Sequence, residues 1–288
     1  IHRREHSFKE ENRNENQTID ETAPEEKQEN EISENTPEQE VVEPTPDENA
    51  PEEEILPVAK EKLSAFSWVD EKKITPVKFQ GICGSCWTFT SAAVCESSIM
   101  INGGETFDLS EQNVLDCAKA SNGQKAGSCD GGWYGYVFDY YSTHPLVAES
   151  ANPYLGKNSI CKKASSIPYK ISSWGYLRKD AGIPTVDEMK KALVTYGPIA
   201  VCVKVTESFQ AYRSGIFDEF AKTKGPDDIN HAITIVGWDD SKKAYLLKNS
   251  WGPDWGEHGY MWIEYGCNNI GYGACWVVVE QQNKQMSK

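Results

Sequence analysis

Five consecutive residues, Cys83-Gly84-Ser85-Cys86-Trp87, carry the densest reactive chemistry in this 288-residue chain. A Cys-x-x-Cys pair can be a redox dithiol, half of a zinc site, or a disulfide cysteine beside one reactive thiol. A redox dithiol should follow a strand inside a small βαβ unit, and that context is missing here. A four-ligand zinc site would want a second short-spaced Cys/His pair, whereas the other cysteines are scattered singly. The third reading has a mechanism. An apolar helical period begins after Cys86, and a cysteine at a helix N-terminus meets unpaired N–H groups and a dipole that favour the thiolate.

A thiolate attacking a carbonyl also needs a proton donor for the leaving group and hydrogen-bond donors for the oxyanion. The chain has five histidines. His2 and His6 fall in a polar N-terminal segment, and His144 and His258 fall in polar turns. His231 opens an apolar run, Asn230-His231-Ala232-Ile233-Thr234-Ile235-Val236-Gly237-Trp238. The bland reading is a structural core histidine. Against it stands Lys248-Asn249-Ser250-Trp251-Gly252, which offers an amide to orient an imidazole and an indole to shield the contact.

These residues must be held by helices first and strands later. Phe89, Ala92, Ala93, Val94 and Ile99 recur at helical spacing, and Asn102-Gly103-Gly104 stops that helix. Ser110 is placed as an N-cap for a helix reaching Ala118, and Gly131–Tyr141 is expected to form a third. Beyond about residue 170 the pattern turns to strands, at residues 199–205, 231–238, 244–248 and 260–265. A helical half followed by a strand half predicts an α+β fold with two packed subdomains. No internal repeat is evident.

Composition separates a tail from a body. The chain has 44 acidic and 29 basic residues, and 20 of the acidic against 7 of the basic lie in residues 1–62. That segment is rich in Glu, Asn, Gln, Thr and Pro, and it is expected to be a disordered tail, linker or propeptide remnant. Asn16-Gln17-Thr18 within it is a short glycosylation sequon. No signal peptide is expected from the polar opening Ile1-His2-Arg3-Arg4. The body, residues 63–288, is nearly neutral and divides at about residue 170. No basic surface suited to nucleic acid and no membrane-length apolar run is evident. All nine cysteines lie in the body, which fits an oxidising compartment, and an odd number leaves at least one thiol unpaired.

Gln80-Gly81-Ile82-Cys83-Gly84-Ser85-Cys86-Trp87, Asn230-His231-Ala232 and Lys248-Asn249-Ser250-Trp251-Gly252 together resemble the papain family of cysteine peptidases. The likeness runs from about Ser67 to Glu280. It implies a helical domain and a β-barrel-like domain with the active site in the cleft between them, and peptide hydrolysis through an acyl-enzyme without metal or organic cofactor. By the resemblance Cys86 is the nucleophile, His231 its ion-pair partner and proton donor, and Asn249 the group that holds the ring beneath Trp251. Gln80 matches the glutamine that shares the oxyanion hole with the Cys86 backbone N–H.

Cys129-Asp130-Gly131-Gly132 resembles the family's glycine wall, where substrate backbone pairs. Trp133 and Tyr134 would line the P2 pocket, with Cys202, Ile229 and Ala232 opposite, and Asn230 and Trp251 complete the substrate-binding set. That lining implies a hydrophobic or aromatic P2 residue, and Glu280 is a candidate for the pocket floor. The comparison pairs Cys83 with Cys129 and Cys117 with Cys161. The usual third bridge lacks its cysteine in residues 220–230, so Cys267 and Cys275 are expected to pair with each other. Cys95 and Cys202 are left as buried thiols.

The resemblance further implies peptide substrates, a propeptide or cystatin-like inhibitor as partner, a monomer, and a secreted or lysosome-like or vacuolar setting. The family's proregion is a helical segment across the cleft, and residues 1–62 show no such pattern. Two alternatives remain: a catalytically silent relative that only binds peptides, and a thiol-redox protein resting on Cys83 and Cys86.

Overall fold

The computed structural model describes residues 60 and 62–282. The expected acidic tail, with its sequon, His2 and His6, lies outside the described residues apart from Lys60 and Lys62. The described chain has the α+β character that the sequence predicts. The first half carries three helices: α1 (Cys86–Ile101), α2 (Glu111–Cys117) and α3 (Tyr134–Thr143).

Helix α1 is buried along nearly its whole length, from Cys86 to Met100, its polar residues Thr88, Ser91 and Glu96 included. Asn102 ends it. Ser110 caps α2 by accepting the Asn113 N–H at 2.9 Å. The third helix starts later than its sequence pattern suggests. Gly131–Gly132 forms a short strand β3, paired with β2 (Gly127–Ser128), and helix α3 follows. The reason is steric: a Cβ on Gly132 would lie 2.4 Å from Trp87 Cε2, so only bare backbone can pass over the indole here.

Eight strands make one sheet in the order β4-β10-β5-β7-β8-β9-β6, with β1 (Ala65–Ser67) paired to β7. The members are β4 (Tyr169–Tyr176), β5 (Ile199–Val203), β6 (Ile216–Phe217), β7 (His231–Asp239), β8 (Ala244–Lys248), β9 (Tyr260–Glu264) and β10 (Tyr272–Gln281). All pairings are antiparallel except β6 with β9. The chain's two halves exchange their ends. Strand β1 joins β7, while β10 packs beside α1, where Val279 N–H donates to Ser98 Oγ at 2.9 Å.

Period-two alternation sends side chains to two separate cores. From β5, Ala200 and Cys202 join the core shared with α1, and Ile199, Val201 and Val203 join the other. That second core also takes Met189, Ala192 and Leu193 from α4 (Val186–Tyr196), a helix set among the strands. Its signature is a capping box: Thr185 and Glu188 exchange backbone and side-chain hydrogen bonds.

Disulfides join Cys83 to Cys129 and Cys117 to Cys161. The expected Cys267–Cys275 bridge is not formed, and both are buried free cysteines. Cys275 points from β10 into the core beneath α1, whereas Cys267, in the turn Cys267–Asn269, belongs to the core on the other side of the sheet. Cys86, Cys95 and Cys202 are also free and buried.

Candidate active site

Cys86 is the first residue of α1, delivered there by the loop that the Cys83–Cys129 disulfide anchors. Gly84 N–H donates to Cys129 O at 2.7 Å, and Trp87 Nε1–H donates to Ser128 O at 3.2 Å. The glycine pair Gly131–Gly132 is thereby fixed beside the helix start. Across from it stands β7. Ala232 N–H donates to Cys86 Sγ at 3.4 Å, so the residue after His231 touches the sulfur. Burial pushes the Cys86 thiol up, and the Ala232, Trp87 and Cys86 N–H groups pull the other way.

His231 is 5 % exposed and lies 2.8 Å, through Nε2, from Asn249 Oδ1. The amide's orientation is set independently, because Asn249 Oδ1 also accepts the Ser250 N–H at 2.8 Å. An oxygen only accepts, so His231 Nε2 carries a hydrogen and the neutral ring keeps its lone pair on Nδ1. Trp251 lies over the imidazole with ring centroids 4.8 Å apart. Burial lowers the His231 pKa to about 4, with the Asn249 hydrogen bond opposing it.

Gln80 is buried six residues before Cys86 and is held at every polar atom. Its backbone N–H donates to Ser250 O at 2.9 Å, and Ser250 Oγ donates to its Oε1 at 2.7 Å. Its Nε2 donates to Cys83 O at 2.9 Å, and an amide nitrogen has a second N–H to offer. Tyr154 adds a brace: its hydroxyl donates to Gln80 O at 2.8 Å and lies 2.6 Å from Ser85 Oγ. Neither Tyr154 nor Ser250 stands out in the sequence.

Beneath these residues is a charged cluster that sequence reasoning missed. Glu96, 1 % exposed in the middle of α1, accepts from Lys78 Nζ at 3.1 Å, from Leu109 N–H at 2.8 Å, and from Thr75 Oγ1. Lys78 also donates to Glu111 at 2.7 Å, and Lys248 Nζ donates to Thr75 O at 2.8 Å. Lys78 is two residues before Gln80, and Lys248 is the residue before Asn249. The cluster thus ties the segments carrying both amides to the helix carrying Cys86. A lone Glu in an apolar helical period was the available signal. Glu96→Ala leaves the Lys78 ammonium, the Leu109 N–H and the Thr75 hydroxyl each short of a partner, and the expected cost is about 3–5 kcal/mol, measurable by urea unfolding.

The remaining predicted positions divide. Trp133 and Ile229 are half-buried, and Tyr134, Cys202 and Ala232 are buried in the same core as Cys86. Asn230 is exposed, with its amide bonded to both backbone groups of Val205. Glu280 is exposed on β10 opposite Lys170, five residues beyond Cys275, and it is not at a pocket floor. His144 and His258 are exposed. Among the described residues no group of three or more His, Cys, Asp or Glu could hold a metal, and no helix is long and apolar enough to cross a membrane.

A buried cysteine on a helix N-terminus, facing a histidine–asparagine pair across a two-part core, is the arrangement of a thiol peptidase fold. The family model for papain family cysteine protease matches residues 63–280, and the chain belongs to that family. It is 37 % identical over 207 residues to pro-cathepsin H of Mus musculus, covering 70 % of this chain and 60 % of that protein. It is 35 % identical over 212 residues to thiol protease aleurain of Arabidopsis thaliana, covering 72 % and 57 %. The chain thus spans about three fifths of the length of these curated relatives. The solved bromelain protease from Ananas comosus, in complex with the E64 inhibitor, superposes with a TM-score of 0.64 at 31 % identity, over 76 % of this chain and all of that one. Digestive procathepsin L 3 of Tenebrio molitor gives the same TM-score and identity over 75 % of this chain and 70 % of that one.

Proposed function

We propose that this chain is an active cysteine peptidase, an endopeptidase that favours a hydrophobic residue at P2. One observation carries the reading: Asn249 fixes the His231 tautomer, which leaves Nδ1 basic, while the next residue's N–H meets Cys86 Sγ. Cys86 gives its proton to His231 Nδ1. The thiolate attacks the peptide carbonyl carbon, and the oxyanion is met by the Cys86 N–H and the second N–H of Gln80. As the C–N bond breaks, the imidazolium passes its proton to the leaving amine, and a thioester remains. His231 then takes a proton from water, whose oxygen attacks the thioester; the acid leaves as the C–S bond breaks, which restores the Cys86 thiolate beside the His231 imidazolium.

Burial alone keeps both partners neutral. Three N–H groups favour the thiolate, and opposite charges in contact attract by about 4 kcal/mol near a protein surface, roughly three pKa units. That attraction offsets the His231 depression, and the N-terminal dipole of α1 must offset the raised Cys86 thiol for the ion pair to form. Gly131–Gly132 offers backbone to an extended substrate, and Trp133, Tyr134, Cys202, Ile229 and Ala232 line the P2 side. Asn230 at the rim and Trp251 above the imidazole complete the set.

Peptides and proteins are the proposed substrates, a propeptide or cystatin-like protein the proposed inhibitor, and the monomer the working unit. The relatives' names and the two disulfides favour a lysosome-like or vacuolar compartment or secretion. The acidic segment 1–62 is proposed as a tail or propeptide remnant ahead of a peptidase domain of 63–288.

The test is hydrolysis of a peptide blocked at both ends. Cleavage at an internal bond, with Gln80→Ala slower by about 10²–10³ in kcat, is the expected result. Cleavage only of peptides with a free terminus would overturn the endopeptidase reading, and no cleavage of any peptide by the folded, reduced protein would overturn the activity.

A further inference from the structure

Asn249 holds His231 through its side-chain oxygen alone. Oδ1 meets His231 Nε2 at 2.8 Å and accepts the Ser250 N–H at 2.8 Å. The other end of the amide is different. Nδ2 carries two hydrogens, belongs to a residue only 3 % exposed, and has no hydrogen-bond partner among the described residues. Leaving a buried donor unpaired is costly, so this nitrogen calls for an acceptor.

The acceptor has a place. Asn249 lines a pocket of about 20 Å³ inside the protein, and a water needs roughly 10–15 Å³. Thr90, Ala93 and Glu96 bring one face of α1 to it, and Glu111 and Lys248 complete the wall; all five are buried. Counting donors and acceptors selects the occupant. Lys248 Nζ gives two of its three hydrogens to Thr75 O and Thr75 Oγ1, so one is left, beside those of Asn249 Nδ2. Glu96 and Glu111 keep lone pairs beyond those that take Lys78. The occupant must therefore accept on one side and donate on the other. A metal cation cannot accept an N–H, and a halide cannot donate. Water does both.

We infer that this pocket holds one ordered water, which accepts from Asn249 Nδ2 and donates to the buried carboxylates, and that the water positions His231 through Asn249. An amide hydrogen-bonded at both ends cannot turn about its Cβ–Cγ bond. Its oxygen then stays where the imidazole keeps a hydrogen on Nε2 and a lone pair on Nδ1. The ion cluster beneath the site thereby reaches the imidazole through a single water, without touching substrate. The water site stands independently of the peptidase reading, and its effect on rate rests on that reading.

A high-resolution crystal structure of the Cys86→Ala protein decides occupancy. The expected result is one density peak roughly 2.7–3.2 Å from Asn249 Nδ2 and from a Glu96 or Glu111 oxygen. No peak, or a peak that misses Asn249, would overturn the inference. Ala93 decides the role, because Val and Thr have nearly the same shape and only Thr brings an acceptor. Either side chain should displace the water. Ala93→Val should lower kcat about 10-fold with KM within about twofold, and Ala93→Thr should stay within about threefold of wild type. An equal loss in both, or no loss in Ala93→Val, would overturn the positioning role. Nitrogen NMR in the Cys86→Ala background reads the same contrast without turnover: Ala93→Val should lose the Nε2–H tautomer of His231, and Ala93→Thr should keep it. If Ala93→Val does not fold, the smaller pair Ala93→Cys and Ala93→Ser makes the same comparison. A folded wild type that holds the water and cleaves no peptide overturns the peptidase reading and leaves the site, with the tautomer contrast deciding its role.

Discussion

Cys86→Ala is expected to lower kcat/KM for peptide hydrolysis by about 10⁵–10⁶-fold while leaving the fold intact. The size follows from the chemistry: without the sulfur no acyl-enzyme forms, and only oriented binding and the oxyanion donors remain. The intact fold follows from the position. Cys86 opens a helix, where alanine is well tolerated, and its sulfur makes one hydrogen bond at 3.4 Å, to Ala232. Steady-state rates on a blocked peptide, with circular dichroism of the same sample, check both parts. A loss of less than tenfold would mean that another group attacks the substrate.

His231→Ala is expected to cost about 10⁴-fold or more, and the double variant little beyond Cys86→Ala alone, because the two residues act as a unit. The Cys86→Ala background also isolates the imidazole. With no thiolate beside it, burial dominates, and His231 should stay neutral down to about pH 4. The unfolded chain takes up that proton near pH 6.5, so it binds more protons than the folded chain once the pH falls below that value. Stability of Cys86→Ala should therefore be full above pH 6.5 and decline as pH falls towards 4, by about 3 kcal/mol from this group. Urea midpoints across that window test the sign, and NMR titration of the imidazole gives the pKa directly. An imidazole titrating at 6.5 or above in Cys86→Ala would show that it is solvated.

The site was legible where its chemistry is local. Cys83-Gly84-Ser85-Cys86-Trp87 at a helix start, His231 at the mouth of an apolar run, and Lys248-Asn249-Ser250-Trp251 carry roles that their neighbours in sequence already suggest. Ser110 as a cap is of the same kind. What escaped depends on partners far along the chain. Gly131–Gly132 read as a helix start because nothing nearby reveals the Trp87 ring that excludes side chains there. Strand β10, absent from the expected strands, is flanked and opened by Gly271 and Gly273, whose place shows only with β5 and Tyr134 beside them. Cys267 and Cys275 are eight residues apart, and only the sheet between their two cores forbids the bridge. Glu96 is buried because Lys78, Thr75 and Leu109 converge on it, and no periodicity records that convergence.

The central claim is that Cys86 rests as a thiolate paired with His231. The most direct measurement is the rate of Cys86 alkylation by an epoxide as a function of pH, followed by intact mass and peptide mapping, with Cys86→Ala and His231→Ala as controls. The ion pair predicts one adduct, on Cys86, at a rate that persists from pH 7 down to about 5 and collapses in His231→Ala. A rate that rises only above pH 9, in step with a buried neutral thiol, or that is unchanged by His231→Ala, would contradict it.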